Sequence, residues 1–333
     1  MQRQQPVDVS IVVVSYNTRA LTLACLDSVA AETRDVTYEV LAIDNASNDG
    51  STAALRAHPL GTKLVASTGN LGFARANNVA ARQATGEYIL LLNPDTVILD
   101  GAIDRLVAFA RANPNAGIWG GRTLFADGRL NPSSCWGRMT PWNLICRATG
   151  LTAVFSGSTF FNGEAYGGWR RDTVAEVDIV SGCFLLIRRS LWEELGSFDP
   201  AFFMYGEEAD LCLRAQQRGL RPMMTPTATI VHLGGASERT REAKMIKLLA
   251  AKATLVRRHW PPYLAPLGVA LLAAWPLSRW IALTVAGTLR PTPGRAESTT
   301  SWREIWQRRA EWMTGYIEDQ SKSLAKPQTS TNR

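Results

Sequence analysis

The segment Phe202-Phe203-Met204-Tyr205-Gly206-Glu207-Glu208-Ala209-Asp210 sets three carboxylates directly after an aromatic run. One of them can take a proton from a hydroxyl, the general-base step of a displacement. Acidic side chains also favour a helix N-terminus through its dipole, so Glu207, Glu208 and Asp210 stand as alternatives. Asn93-Pro94-Asp95 closes an apolar run. A carboxylate there suits a divalent cation held against phosphates, and the same tripeptide also suits a plain turn. His232 closes Thr229-Ile230-Val231. It reads either as a metal ligand or as a satisfied buried imidazole.

Two polar strings sit earlier in the chain. Asp44 is followed by Asn45-Ala46-Ser47-Asn48-Asp49-Gly50-Ser51. A carboxylate held at that point can accept the N3 proton of a pyrimidine while the Asn and Ser groups meet ribose. A turn with a helix N-cap is the other use of such a string. Gly69-Asn70-Leu71-Gly72-Phe73-Ala74-Arg75-Ala76-Asn77-Asn78 opens a helix whose first amides can face a phosphate. It matches neither a dinucleotide fingerprint nor a Walker loop.

These groups need a frame. Apolar runs of strand length recur at 9–14, 38–43, 62–66 and 87–92, with amphipathic stretches at about 18–32, 50–58 and 73–84 between them. That alternation predicts an α/β fold with a mainly parallel central sheet. Ligands of such sheets bind beyond the carboxyl ends of the strands. Tyr16-Asn17, Asp44-Asn45, Gly69-Asn70 and Asn93-Pro94-Asp95 all fall there. Residues 132–175 read as a long irregular insertion, a common form for lids and acceptor sites. A strand is expected over 177–188, a helix over 190–195, a helix from Glu207 and a short strand over 228–232.

Charge divides the chain. Residues 1–238 carry 20 Lys/Arg against 23 Asp/Glu, and 239–333 carry 16 against 6. Trp260, Trp275, Trp280, Trp302, Trp306 and Trp312 lie in the basic part, beside apolar runs. Tryptophan and cations next to aliphatic residues favour an anionic membrane surface over nucleic acid, so no nucleic-acid partner is expected. Five scattered cysteines without a C-x-x-C pair suggest neither a disulfide framework nor a zinc site, and point to a reducing cytoplasm. The apolar run 9–14 is too short for a signal-peptide core.

Three regions follow: a catalytic unit over 1–238, a basic helix with an interfacial or re-entrant apolar segment over 239–290, and 291–333. In the second, Pro266, Pro276 and Arg279 interrupt runs that each fall short of a bilayer span. In the third, a linker over 291–300 precedes an amphipathic helix with Trp302, Trp306, Ala310, Met313 and Ile317 on one face, then a disordered end.

Taken in order, the motifs resemble the family 2 glycosyltransferases of the GT-A fold, and among them the rhamnosyltransferase-like group. The likeness covers about 8–235. It rests on Val14-Ser15-Tyr16-Asn17, Ile43-Asp44-Asn45-Ala46-Ser47, Asn70-Leu71-Gly72-Phe73 with Asn77, Leu92-Asn93-Pro94-Asp95, Ser181-Gly182-Cys183 with Leu186-Ile187-Arg188-Arg189, and Phe198-Asp199-Pro200 leading to Phe202-Phe203-Met204-Tyr205.

The resemblance implies a Rossmann-like GT-A fold with a C-terminal helical, membrane-associating extension. It implies that Asp44 contacts the base, that Tyr16, Asn17, Asn45, Asn70, Gly72, Phe73, Asn77 and Asn93 line the nucleotide-sugar pocket, and that Asp95 and His232 hold Mg²⁺ or Mn²⁺. The family's base falls on Glu208, where Asp is commoner, so Glu207 and Asp210 stay open. Asn93 stands where the family often has a second aspartate.

The expected activity is inverting transfer of a sugar, best matched by L-rhamnose from dTDP-L-rhamnose. The acceptor is a polyprenyl-diphosphate-linked saccharide or an oligosaccharide in cell-envelope glycan synthesis, at the cytoplasmic face of the membrane. A catalytically dead nucleotide-sugar binder and a basic-tailed nucleic-acid binder are the rivals.

Overall fold

The computed structural model describes residues 6–234 and 240–316. The first half alternates as the periodicity predicts: β1 (Val9–Ser15), α1 (Arg19–Glu32), β2 (Tyr38–Asp44), α2 (Ser51–Arg56), β3 (Lys63–Ala66), α3 (Phe73–Ala81) and β4 (Tyr88–Leu92). These four strands pair in parallel, in the order β3-β2-β1-β4. Both faces of β1 and β4 are buried, which explains their unbroken apolar runs. Val9, Ile11, Val13, Tyr88 and Leu90 point into one core with α1, while Val12, Val14, Ile89 and Leu91 point into the other with α3. Successive side chains alternate across a strand, so one run feeds two cores.

The second half extends the sheet with returning strands. In chain order come β5 (Thr96–Ile98), α4 (Ala102–Ala112), β6 (Ile118–Leu124), β7 (Cys135–Trp136), α5 (Pro141–Thr149), α6 (Leu151–Val154), β8 (Ala175–Glu176), β9 (Ile179–Val180), β10 (Phe184–Arg188), α7 (Arg189–Glu194), α8 (Glu207–Gln217) and β11 (Met223–His232). Strand β10 runs antiparallel between β4 and β6, and β11 is parallel to β6. At the edge β5 and β8 lie antiparallel to β11, while β7 and β9 form a small separate ribbon. The result is an α/β fold whose first half is wholly parallel.

Local structure corrects several expectations. The insertion at 132–175 is not irregular throughout: Thr140 caps α5 by accepting from the Asn143 amide at 3.1 Å, and Pro141 opens the helix. The strand over 177–188 is broken into β9 and β10 by Ser181-Gly182-Cys183. The two apolar runs after Pro262 form one helix, not a hairpin.

That helix belongs to a group of three: α9 (Arg241–His259), α10 (Ala265–Leu289) and α11 (Pro293–Gln307). Pro276 lies buried inside α10 without ending it. An interior proline removes one helical bond, and packing on α5, α9 and α11 outweighs that loss. Arg279 is turned onto α5, where Nη2 meets the Arg147 carbonyl at 3.5 Å. Helix α10 is long and apolar enough to cross a membrane by length and composition.

The expected linker over 291–300 is mostly helix, because Thr292 caps α11 and Pro293 opens it. Trp275, Trp302 and Trp312 are buried within the protein rather than offered to lipid. Ile317 and the end expected to be disordered lie outside the described residues.

Candidate active site

The carboxyl ends of β1, β2, β3 and β4 open into a cavity of about 440 Å³. Tyr16, Asn45, Asn70 and Phe73 line it. Asn45 joins two strand ends: its Nδ2 donates to Asn70 Oδ1 at 3.0 Å, and its Oδ1 accepts from the Leu71 amide at 2.8 Å. Asp44, one residue earlier, is buried and outside the lining, with Thr52 Oγ1 on one carboxylate oxygen and the Ser47 amide 3.2 Å from the other. Asn17 takes a positive φ of 53° and locks the same turn, accepting from the Asn48 amide at 2.9 Å. Asn77 is buried and donates to the Phe73 carbonyl at 2.9 Å. Asp44, Asn17 and Asn77 therefore brace the wall that Asn45, Asn70 and Phe73 present.

Gly72 is required by geometry. Its φ is +77°, and a Cβ there would lie 2.4 Å from the Phe203 carbonyl oxygen. The neighbouring Phe73 amide donates to that same oxygen at 2.7 Å. This contact ties the Asn70-Leu71-Gly72-Phe73 loop to the aromatic run before α8.

Asn93, Asp95 and His232 also line the cavity. The antiparallel register His232↔Thr96 of β11 on β5 brings residues far apart in sequence side by side. His232 Nε2 is 3.3 Å from Asp95 Oδ1 and 3.3 Å from Asn93 Nδ2. Burial opposes the His232 charge, yet Cys183 and Asp95 push its pKa up to about 10. Burial likewise opposes the Asp95 charge, but the His232 hydrogen bond and charge hold the carboxyl below its ordinary value. Asn93 Oδ1 and His232 Nδ1 are buried without partners among the described residues. Once His232 gives up its proton, as a ligating imidazole must, this oxygen and nitrogen donor set fits a divalent cation whose remaining ligands come from phosphate and water. No group of three or more His, Cys, Asp or Glu suited to a metal occurs among the described residues.

The start of α8 lines the same cavity, with Gly206 at φ +89° as its cap. Glu207 and Glu208 line the cavity, and each has a buried Oε2 without a partner among the described residues. Burial raises the Glu207 pKa well above the ordinary value, with the Glu208 charge adding to it. Burial also raises that of Glu208, against its backbone hydrogen bonds. Asp210 is differently employed. It is outside the lining and is held by Arg214 at 2.7 Å and His259 at 2.9 Å. Burial opposes its charge, but His259 and Arg214 keep its carboxyl below the ordinary range.

The sequence model described as "Glycosyl transferase family 2" matches residues 10–195, more than half of the chain. The chain belongs to glycosyl transferase family 2. It is 31% identical over 242 residues to the O-antigen biosynthesis protein RfbC of Myxococcus xanthus, covering 69% of this chain and 18% of that protein. It is also 31% identical over 209 residues to an N-acetylglucosaminyl-diphospho-decaprenol L-rhamnosyltransferase of Mycobacterium tuberculosis, covering 58% of this chain and 66% of the relative. Rhamnosyltransferase WbbL of Escherichia coli is 26% identical, over 67% of this chain and 83% of its own length. The chain thus spans less than two thirds of the first two relatives.

Among solved structures, the mannosyltransferase PcManGT of Pyrobaculum calidifontis, in complex with GDP-Man and Mn²⁺, superposes with a TM-score of 0.54 at 21% identity. That match covers 96% of this chain and 87% of the other. S. aureus TarS 1–349 in complex with UDP-GlcNAc gives 0.51 at 14%, over 96% and 92%. Both likenesses show the GT-A-like fold.

For this member of family 2, the cavity lining also takes in residues outside the motifs, among them Arg147 of α5, Glu164, Lys252 of α9 and Trp275 of α10. The Thr140-Pro141 start of α5 is a legible helix signal. What turned Arg147 inward is packing against α10, which no local pattern carries.

Proposed function

We propose that this family 2 protein is an inverting glycosyltransferase that uses Glu208 as its general base. One observation carries the reading: a single cavity joins the nucleotide-facing strand ends, the Asp95–His232 pair and the half-buried Glu208. The nucleoside lies at Tyr16, Asn45 and Asn70; Asp44, buried outside the cavity lining with its carboxylate oxygens engaged by Thr52 and Ser47, braces their turn instead of meeting the base. Gly72 and Phe73 shape the wall beside the sugar, with Asn17 and Asn77 bracing it.

Asp95 and His232 would hold Mg²⁺ or Mn²⁺, with Asn93 Oδ1 beside them. When bound, the cation stabilises negative charge on the departing diphosphate. Glu208 accepts the proton of the acceptor hydroxyl, and the freed oxygen pair forms a bond to the anomeric carbon from the face opposite the diphosphate. The bond from that carbon to the diphosphate breaks, and its electron pair leaves with the diphosphate. The anomeric configuration inverts. Glu207, buried deeper and higher in pKa, keeps its proton and spares Glu208 a second neighbouring charge.

The donor is dTDP-L-rhamnose, and the acceptor is a saccharide linked through diphosphate to a polyprenyl lipid, in cell-envelope glycan synthesis. The names of the mycobacterial and Escherichia coli relatives support the rhamnosyl group, and the mycobacterial name supports the acceptor linked through diphosphate to a polyprenyl lipid. The protein works at the cytoplasmic membrane face, with α10 and its exposed Leu267, Ile281, Val285 and Leu289 as the contact. Glu208→Gln tests the assignment: transfer should vanish while donor binding, measured by calorimetry, persists. Transfer at the wild-type rate would refute it.

A further inference from the structure

The cavity wall away from the strand ends is built by α5, α9 and α10, and it carries a charge cluster that the transfer step leaves unused. Arg147 Nη2 lies 2.9 Å from Glu164 Oε2, and Lys252 Nζ pairs with Glu164 Oε1. All three line the cavity and are largely shielded from solvent. Two cations therefore share one carboxylate. Arg279, against the Arg147 carbonyl, adds positive charge behind them.

Donors are also in surplus. A guanidinium has five N–H groups and an ammonium three. Arg147 Nε is buried without a partner among the described residues. The Trp275 ring lies 4.8 Å from the Arg147 guanidinium and fixes its plane by a cation–π contact. Burial lowers the Lys252 pKa, Glu164 opposes that, and Arg147 lowers it further. An uncompensated buried charge is costly unless another anion meets it.

We propose that Arg147 and Lys252 form an anion subsite for the phosphates of the acceptor, a diphosphate esterified to a lipid, separate from the donor diphosphate at Asp95 and His232. The proposal rests on the lipid-linked acceptor of the functional reading. Position favours the acceptor, since the cluster lies on the helical layer and not at the strand ends that hold the nucleotide groups. Lys244, on the same face of α9, is two turns or about 12 Å earlier, too far to share one phosphate with Lys252. The surface beside the cluster favours a lipid ester. Helices α5 and α10 expose Trp142, Ile145, Ile281 and Val285, so a chain leaving the subsite crosses apolar surface.

The test is binding of farnesyl diphosphate to the full chain by calorimetry, in EDTA so that the cation site stays silent. Wild type should bind it, and Lys252→Gln should weaken binding about tenfold or more, the loss of one charged contact. Arg147→Lys keeps the charge but loses the fork, and should weaken binding by roughly threefold or more with an unchanged melting temperature. Asp95→Asn should bind within about twofold of wild type, because the donor diphosphate site is elsewhere.

Undiminished binding in both cluster variants, or a loss in Asp95→Asn equal to that in Lys252→Gln, would overturn the subsite. Inorganic pyrophosphate binding as tightly as farnesyl diphosphate would overturn the lipid ester and leave a free-phosphate site. Farnesyl diphosphate binding without transfer to any lipid-diphosphate-linked sugar would uphold the subsite and sink the acceptor reading. Transfer with undiminished kcat/KM in both cluster variants would do the reverse.

Discussion

Glu207 and Glu208 are consecutive, yet their side chains meet different surroundings: Glu207 is 3% exposed and Glu208 is half-buried. Burial raises both, and the Glu208 charge raises Glu207 further, so Glu208 ionises first. A base with a raised pKa is active above that value, and kcat falls as pH drops through it. Glu208→Gln should lower kcat by roughly 10²–10⁴-fold, the usual contribution of a positioned base. Because Glu207 keeps its proton while Glu208 titrates, the neutral isostere in Glu207→Gln should leave the acid limb of the kcat profile in place; a limb moved to lower pH would mean that Glu207 carries a charge.

Asp210 belongs to stability instead. Its folded pKa is depressed, so its ion pairs contribute above the unfolded value and are lost as pH falls through the folded one. Asp210→Asn should cost about 3 kcal/mol at pH 7, read by denaturant unfolding, and less in acid. The sequence showed three carboxylates at a helix start but not which was already paired, because His259 and Arg214 reach Asp210 through packing.

Elements determine what local reading can see. The parallel half of the sheet was legible because its strands are apolar on both faces and its loops carry polar residues directly after them. Strand β10 was harder to read, since its antiparallel return brings Cys183 beside Asn93 through pairing, not sequence proximity. The same holds for His232, whose place next to Asp95 follows from the β5–β11 register. Helix α5 was missed inside a stretch whose Ser, Gly and aromatic content reads as loop.

At this scale Gly72 is the sharpest test. Its conformation with φ +77° and ψ 175° is essentially reserved to glycine, and a Cβ would strike Phe203 backbone. Gly72→Ala should cost on the order of 2 kcal/mol or more in denaturant unfolding and raise the donor KM. A neutral result would mean that the Asn70-Leu71-Gly72-Phe73 loop is not held against α8's approach.

For the whole molecule, the C-terminal helices are both core and surface. Ile246, Leu249, Trp275, Trp302 and Trp312 join the hydrophobic core that contains α3 and α8 residues, so the basic tail closes the cavity as well as flanking it. Composition registered the tryptophans and cations of this region but not which way they face. The apolar surface that remains, Leu267, Ile281, Val285 and Leu289 on α10 with Val154, Phe155 and Phe160 near α6, is the candidate membrane contact. Wild type should float with anionic liposomes, and the double substitution Ile281→Asp with Val285→Asp should reduce the floating fraction severalfold, about 2–3 kcal/mol of lost burial per apolar side chain at the upper end. Equal flotation would move the contact elsewhere.

The central claim is cation-assisted sugar transfer through this one cavity. It is tested most directly by offering a panel of nucleotide sugars with a lipid-diphosphate-linked acceptor, with Mn²⁺ or Mg²⁺ and with chelator. The expected result is consumption of dTDP-L-rhamnose only with acceptor present, a product of inverted anomeric configuration, and loss of turnover in chelator. Retained configuration, or turnover undiminished by chelator, would contradict it.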